Sequence, residues 1–483
     1  MTRPRPIRFF AVAAASFAAV SLGALATIHA LLHWPPDDPP SNYGTLLLRA
    51  VPPPRIIVDG GSSVLWGVAA EDLERRFRIR TVVVGDTAAN PFEARLERLE
   101  RHVRKGDVVV MALEWPYYNR AKTYLRNFAV AAFGQYNDFF RMLPSRRQLE
   151  LEASELGLRG VWKGMAVAGR ARLHRPFSDS DYRQALLQKF AALNARRPHG
   201  DRVGEMKPRS NFAPCRNYIG FANSAPSPEA ETIAAALARL QERTGARVFI
   251  AWPAVAGGDC YDERSARSRK VLEVRAAFRK HGIPILGELT DSAFPESAIM
   301  DTAYHIREPE ARLRTRRLGD EIERAGVAPA AKAPDAGTAA FAAAALARAY
   351  EMAAQRLLPL RTGVYDVTSR RFSDRFLIGE GWQDAKDGAV GSRGATSALM
   401  LLPARHPCRI RLASARNASE PPLLSVAGRA ALREVGEWIE IAPATAPVRL
   451  EFAHSDTAAE SGTDRSRRGY ALHTIEVRCG VAQ

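Results

Sequence analysis

The sequence predicts an α/β protein: a doubly wound parallel sheet, preceded by an apolar N-terminal helix and followed by an antiparallel β-sandwich. Three observations predict it. Short β-branched runs (RIIVDGG, IRTVVVGD, GDVVVMAL, RVFIAWP) alternate with amphipathic helical segments between Arg55 and Ala325, the pattern of a parallel sheet covered on both faces. After Thr362 the pattern changes to short segments such as SALMLLP, RIRLASA, WIEIAP and VRLEFAH, separated by turn residues, as in a small sandwich. Before Arg55, the uncharged run Phe9 to Leu32 follows three arginines in MTRPRPIR.

That run is long enough to cross a bilayer, and the arginines before it place residues 1–33 as a cytoplasmic tip and signal anchor. A cleaved signal peptide is the alternative, since Ala24-Leu25-Ala26 resembles a small-x-small cleavage site. The Pro-rich WPPDDPPSNYG then reads as a stiff spacer over 34–54. The expected arrangement is therefore a single span with the body exported. The sheet domain spans 55–325, with an irregular insertion at about 115–224 on the side where open α/β sheets bind ligands. GVAPAAKAPDAGTAAFAAAALARAYEMAAQ makes 326–361 an Ala/Pro-rich linker running into a helix, and 362–483 is the sandwich.

Composition excludes some function classes. Hydrophobic residues at 46% and charged residues at 25% describe a folded chain with a core. The net charge of +17 is interleaved with acids, as in EARLERLERHVRK, with no compact basic block. No nucleic-acid partner is expected, though acidic polysaccharide or anionic lipid remains open. The four cysteines lack metal-ligand spacing, so no metal and no cofactor is expected. Pairing within each half, Cys215–Cys260 and Cys408–Cys479, is the simplest arrangement in an oxidising compartment.

The chemistry centres on RIIVDGGSSV. A strand that ends on two glycines and two serines, before an apolar helix, is either a capped turn or an elbow lifting a serine hydroxyl above the sheet edge. A nucleophilic serine needs a base, and the base needs a carboxylate. In MDTAYHIREPEARLRTRRLGDEI, Asp301 precedes His305 just before an amphipathic helix. The chain order of strand, Ser62, helix; strand, Gly85; strand, Val108 to Leu113; and late Asp301/His305 resembles the SGNH/GDSL hydrolase superfamily. GGSSVLWGV, KGDVVVMALEWPYY and DTAYHIREPEARLRTRRL are similar to its exported, membrane-anchored branch, associated with O-acylation of bacterial exopolysaccharide or cell-wall polymers.

The resemblance implies a flavodoxin-like sheet, a single-pass anchor in the bacterial inner membrane with the body in the periplasm, Ser62 as nucleophile, His305 as base, Asp301 as its orienting acid, and the N–H groups of Ser62 and Gly85 as oxyanion donors. Ser63 competes with Ser62 for the nucleophile's place and is expected instead to cap the helix. Two departures stand out. Glu114 and Trp115 occupy the place of the superfamily's third-block Gly-x-Asn-Asp, whose missing donor is worth about two to three decades of rate. Tyr304 adds one residue to the usual Asp-x-x-His spacing.

Trp66, Glu114, Trp115, Tyr117, Tyr118, Asn119 and Trp252 are candidate substrate contacts, the rings either stacking on sugars or packing. Insertion arginines such as Arg120, Arg126 and Arg141 are surface residues or readers of acidic groups. The sandwich resembles modules appended to bacterial polysaccharide enzymes, with Trp382 and Asp464 as binding positions or, on the plainer view, a core aromatic and a turn residue. The expected function is an exported serine-dependent O-acyl, chiefly O-acetyl, esterase or transferase on a bacterial polymer. Its partners would be the polysaccharide and a polytopic acyl-transfer or polysaccharide-export protein. The alternative is a non-catalytic, SGNH-like polysaccharide-binding or assembly component.

Overall fold

The computed structural model describes residues 12–20, 22–23, 26, 43–86, 90–119, 145–146, 198–203, 226–257, 263–354 and 358–367, and then 369, 372, 375–378, 390–391, 396–401, 406–414, 423–426, 429–431, 436–444, 448–453 and 471–480. These residues form two compact units, one reaching Phe341 and the other beginning at Ala342. Among the described residues no helix is long and apolar enough to cross a membrane. Half of the expected span at Phe9–Leu32 and the whole of the expected Cys215–Cys260 pair lie outside them.

The first unit is a five-stranded, all-parallel sheet. After a helix α1 (Tyr43–Ala50), its strands are β1 (Arg55–Gly60), β2 (Arg80–Val83), β3 (Val108–Ala112), β4 (Arg247–Ala251) and a short edge strand, β6 (Ile285–Leu286), in the order β2-β1-β3-β4-β6, while β5 (Val255–Ala256) and β7 (Ala293–Phe294) pair separately with each other. β1 and β3 are buried at every position, so their apolar runs do not alternate: a parallel strand has a helix layer on each face. Ile56, Val58, Val83, Val110 and Phe249 pack on one face with helices α2 (Ser62–Gly67), α3 (Ala70–Phe77) and a late helix, Glu308–Arg324. Against the other face lie Phe92–His102, Ala230–Thr244 and Arg269–Lys280, which pack on one another. In chain order these four later helices are α4 (Phe92–His102), α5 (Ala230–Thr244), α6 (Arg269–Lys280) and α7 (Glu308–Arg324).

Local chemistry sets the element ends. α3 stops at Arg78, which takes the left-handed conformation at φ 52° while its N–H returns to Glu74 O. α6 starts at Ser268, whose side chain accepts the Val271 N–H. At the amino edge of the sheet Arg55 is buried against Asp107 at 2.7 Å and donates to the Leu48 and Val51 carbonyls.

The Ala/Pro-rich stretch is less detached than its composition suggests. Glu74 on α3 accepts the N–H groups of Thr81 and Thr338 and the Thr338 hydroxyl, and Arg80 Nε donates to Ala336 O. Residues 330–338 therefore dock along the β2 side of the sheet, before the helix α8 (Thr338–Ala354). Burial works against the Glu74 carboxylate, but the hydrogen bonds from His199 and Thr338 outweigh it and hold its pKa down at about 2.

The second unit contains two antiparallel sheets. One has β8 (Gly363–Asp366), β10 (Val390–Gly391), β12 (Cys408–Ser414), β15 (Trp438–Ile441) and β17 (Ala471–Cys479); the other has β9 (Phe376–Ile378), β11 (Thr396–Leu401), β13 (Leu423–Val426), β14 (Arg429–Ala431) and β16 (Val448–Ala453). Ile410, Ile439, Ile475 and Val477 of the first and Leu399, Leu401, Leu450 and Phe452 of the second share one core, as facing sheets of a sandwich do. Cys408 and Cys479 pair across β12 and β17 and form a disulfide.

Candidate active site

The site is built at the carboxyl edge of the parallel sheet. β1 ends at Gly60, Gly61 precedes α2, and Ser62 is that helix's first residue. Both glycines are required by close approach. A Cβ on Gly60 would lie 2.3 Å from Ala112 O, and one on Gly61 would lie 2.2 Å from each Glu114 carboxylate oxygen. Gly85, after β2, sits against the same turn: its Cβ would be 3.0 Å from both Gly61 O and Val64 Cβ.

Glu114 is fully buried where β3 ends, and its carboxylate accepts the Gly61 N–H and the Ser63 N–H, each at 2.9 Å. This corrects the expected capping role of Ser63. The helix has no side-chain cap from its own end; Ser63 is buried with its hydroxyl unpartnered, and the carboxylate from the neighbouring strand takes the backbone donors instead. Ser62, by contrast, is partly exposed. On the other side of α2, Arg314 of α7 donates to Ser63 O, Gly67 O and Trp252 O at 3.2, 3.3 and 2.9 Å. Burial lowers the pKa of this guanidinium to about 10, against the opposing pull of Glu114 and Glu321. A buried anion and a buried cation thus hold the amide and carbonyl ends of one short helix.

Asp301 and His305 meet. His305 Nδ1 lies 2.7 Å from Asp301 Oδ1, and the ring is buried with Nε2 unpartnered. The intervening loop is closed by a bridge between Ile299 and Ile306 and by the Met300 N–H on His305 O at 2.9 Å. Tyr304 is buried in that loop, its N–H on the Thr302 hydroxyl. With the imidazole neutral, a carboxylate on Nδ1 leaves the lone pair on Nε2, the form a general base needs. The His305 ring centroid is 5.7 Å from that of Trp66. Trp66 stands four residues after Ser62, on the same face of α2, so this contact brings the serine helix and the Asp–His pair together.

The remaining predicted contacts are placed differently. Trp115 and Trp252 are 0% and 1% exposed and stack at 5.6 Å; Tyr118 is wedged between Trp115 and Phe278. Tyr117 is buried too, donating to Asn90 O and accepting from Arg95 Nε, and burial raises its pKa. These four rings build the core beneath the edge and offer no face for a sugar to stack on. Trp66 is also buried, lying under Arg202 at 4.8 Å. Asn119 turns its amide oxygen to Lys270 of α6, whose ammonium burial brings down to about 8. Arg120, Arg126, Arg141, Trp382 and Asp464 lie outside the described residues, as do Thr87 to Ala89 after Gly85. Among the described residues there is no cluster of His, Cys, Asp and Glu able to hold a metal.

One assembly is absent from the sequence-predicted set. Asp59 on β1 and Asp86 after Gly85 face Arg95 and Arg98 of α4, all four buried, with contacts from Arg95 Nη1 to Asp59 at 2.9 Å and from Arg98 Nη1 to Asp86 at 3.1 Å. Asp59 also accepts the Gly60 N–H at 2.7 Å, and Arg98 donates to Val84 O. The cluster therefore fixes the serine turn and the Gly85 loop to one support. Its signal is in the sequence: an aspartate inside an apolar strand requires buried cations, and Arg95 and Arg98 lie three apart on the helix that follows.

No protein-family model matches the chain, and no curated protein matches it. Among solved structures, protein YxiM from Bacillus subtilis is similar at 10% identity and a TM-score of 0.26, over 57% of this chain and 58% of that one. The chain thus spans less than two thirds of that neighbour. The capsular polysaccharide assembling protein CapF from Staphylococcus aureus is similar at 11% identity and a TM-score of 0.15, over 87% of this chain and 95% of that one. A MutB mutant in complex with glucose is similar at 12% identity and a TM-score of 0.17, over 72% and 66%.

Proposed function

We propose that the chain is an exported serine-dependent O-acyl esterase or transferase, acting on acetyl groups of a bacterial exopolysaccharide or cell-wall polymer. The observation that carries this reading is the Asp301–His305 pair, its Nε2 unpartnered, packed through Trp66 against the helix that begins at Ser62. In this mechanism Ser62 Oγ attacks the acyl carbonyl while His305 Nε2 takes the hydroxyl proton. Asp301 holds the ring in that tautomer and stabilises the imidazolium. The tetrahedral oxyanion is met by the N–H groups of Ser62 and Gly85. Its collapse expels the sugar oxygen, which receives the proton from His305 and leaves an acyl-serine. Water or a second hydroxyl then repeats the steps in reverse. The SGNH/GDSL-like motif order supports the assignment of roles. The polymer, the inner-membrane anchor and a polytopic acyl-supplying partner come with that resemblance.

A second reading is favoured by Glu114. A buried carboxylate on the N–H groups either side of Ser62 stands where a hydrolase of this kind would place a donor, which suits a non-catalytic polysaccharide-binding or assembly protein. Fluorophosphonate labelling of the purified chain separates the two. The catalytic reading expects labelling that is abolished in Ser62→Ala and His305→Ala, retained in Ser63→Ala, and slowed by about 10⁴ in Asp301→Asn, where the wrong tautomer is held. A folded wild type that takes no label, or labelling that survives Ser62→Ala, refutes it.

A further inference from the structure

Asn90 is fully buried, yet neither its amide nitrogen nor its amide oxygen has a hydrogen-bond partner. Among the described residues it alone carries two side-chain atoms in that condition. A primary amide brings two N–H donors and an acceptor oxygen, and sealing them from water without partners costs free energy. The side chain therefore works against the fold rather than for it. A group kept at such a cost belongs where chemistry completes it.

Its place in the fold says which chemistry. Asn90 ends the loop that begins at Gly85. At the loop's start the Asp86 N–H donates to Gly60 O at 3.3 Å, and Gly85 lies against Gly61 O and Val64. At its end Asn90 O accepts the Tyr117 hydroxyl at 2.7 Å, and the Tyr117 N–H returns to Glu114 O at 3.0 Å. In the strand order β2-β1-β3, that bond joins the loops after β2 and β3 across the carboxyl end of β1, where Gly61 and Ser62 stand. The backbone of Asn90 is pinned there, because the same hydroxyl accepts from Arg95 Nε at 2.9 Å and Arg95 is anchored on Asp59. Along this edge Ser63 Oγ and His305 Nε2 are also sealed and unpartnered. His305 Nε2 is the base of the serine reading, so being sealed from solvent is no bar to a reacting role. Glu114 stands after β3 with its oxygens taken up by the Gly61 and Ser63 N–H groups, so no side-chain donor reaches the oxyanion from that strand. We propose, resting on the serine reading above, that Asn90 supplies this donor: its Nδ2–H meets the oxygen of the tetrahedral intermediate beside the N–H groups of Ser62 and Gly85. The hydrogen bond forms as charge develops on that oxygen, so it acts on rate and not on stability.

Fluorophosphonate labelling rates of the purified full chain, with thermal melting in parallel, test this on wild type, Asn90→Leu and Asn90→Asp. The phosphoryl oxygen of the probe takes the oxyanion's place, so the rate reads the donors around it. Asn90→Leu is close to the amide in shape and apolar. It should label about 10²–10³-fold more slowly while melting at or above the wild-type temperature. Asn90→Asp keeps the shape and, when ionised, has no N–H to give; it should label at least as slowly. Labelling at the wild-type rate in either variant would overturn the proposal. A lower melting temperature for Asn90→Leu would do so too, since it would show that the amide already has a structural partner such as an ordered water. Should Asn90→Leu fail to fold by circular dichroism, Asn90→Ala decides, and an unchanged labelling rate in that variant refutes the role. A wild type that takes no label removes the serine reading and this inference together, whereas a labelled wild type with unaffected variants removes the role of Asn90 alone.

Discussion

At Gly61 and Ser63 two backbone donors with no access to water converge on one carboxylate, so replacing that carboxylate tests what holds the elbow. In Glu114→Gln the amide oxygen can accept one of the two N–H groups while the NH₂ confronts the other, and a buried donor left unpaired costs about 1–3 kcal/mol. Thermal melting should show a loss of that size, and fluorophosphonate labelling of Ser62 should slow because α2 is less firmly placed. An unchanged melting temperature would show that these hydrogen bonds contribute little. Sequence reading marks Glu114 as a departure from a known pattern but assigns it to substrate. Its true partners lie 51 and 53 residues away in the chain, and no local spacing rule reaches that far. The expectation that Ser63 caps the helix fails for the same reason. The capping rule looks for a side chain at the helix's own start, whereas here the acceptor comes from the next strand over. Asp301 and His305 were legible because both sit in one short loop, where spacing alone limits their separation. Trp115 and Trp252 do stand just past the ends of β3 and β4, whereas Trp66 lies within α2, and whether any of these rings faces solvent depends on what packs above it, which no spacing in the sequence specifies.

Elements were readable wherever one period dominated. The uninterrupted β-branched runs of β1 and β3 can only be buried on both faces, and α4 and α7 show helical spacing of apolar and charged residues throughout. Residues 330–338 were harder, because Ala and Pro describe a linker by composition while Thr338 and Ala336 bind α3 and the β2 strand across more than 250 positions of chain. On α7 a different conflict appears. Glu321 packs against Gly287 with little access to water, and burial, reinforced by Asp291, pushes its carboxyl up to about 7. A carboxyl whose folded pKa exceeds its unfolded value stabilises the fold fully below about 4.5, and that contribution is lost as pH rises through about 7. With allowance for solvent screening the loss is about 1–2 kcal/mol. Glu321→Gln should therefore melt higher than wild type at pH 8 and nearly alike at pH 4.5. Equal shifts at both pH values, or destabilisation at pH 8, would show that the charge on Glu321 is not the source of the cost.

Over the whole molecule the two units solve the same problem by different means. The parallel sheet is sealed by helices on both faces and tolerates buried charge, since Asp59, Asp86, Arg95 and Arg98 neutralise one another behind the serine turn. The sandwich has a single shared core and an exposed outer face, and joins two neighbouring strands covalently at Cys408–Cys479. That cross-link closes a sequence separation of 71 residues, and removing a loop constraint of such length costs about 4 kcal/mol in the chain-entropy account. The cost should fall on one unit, because the loop it closes includes β12, β15, β16 and β17 and no residue of the parallel sheet. Hydrogen exchange on Cys408→Ser/Cys479→Ser should show faster exchange across Ile410, Ile439 and Ile475, with β1 and β3 exchanging as in wild type. Loss of protection in both units would mean that they unfold as one cooperative body. Unchanged protection in the sandwich would mean that its shared apolar core alone supplies its stability.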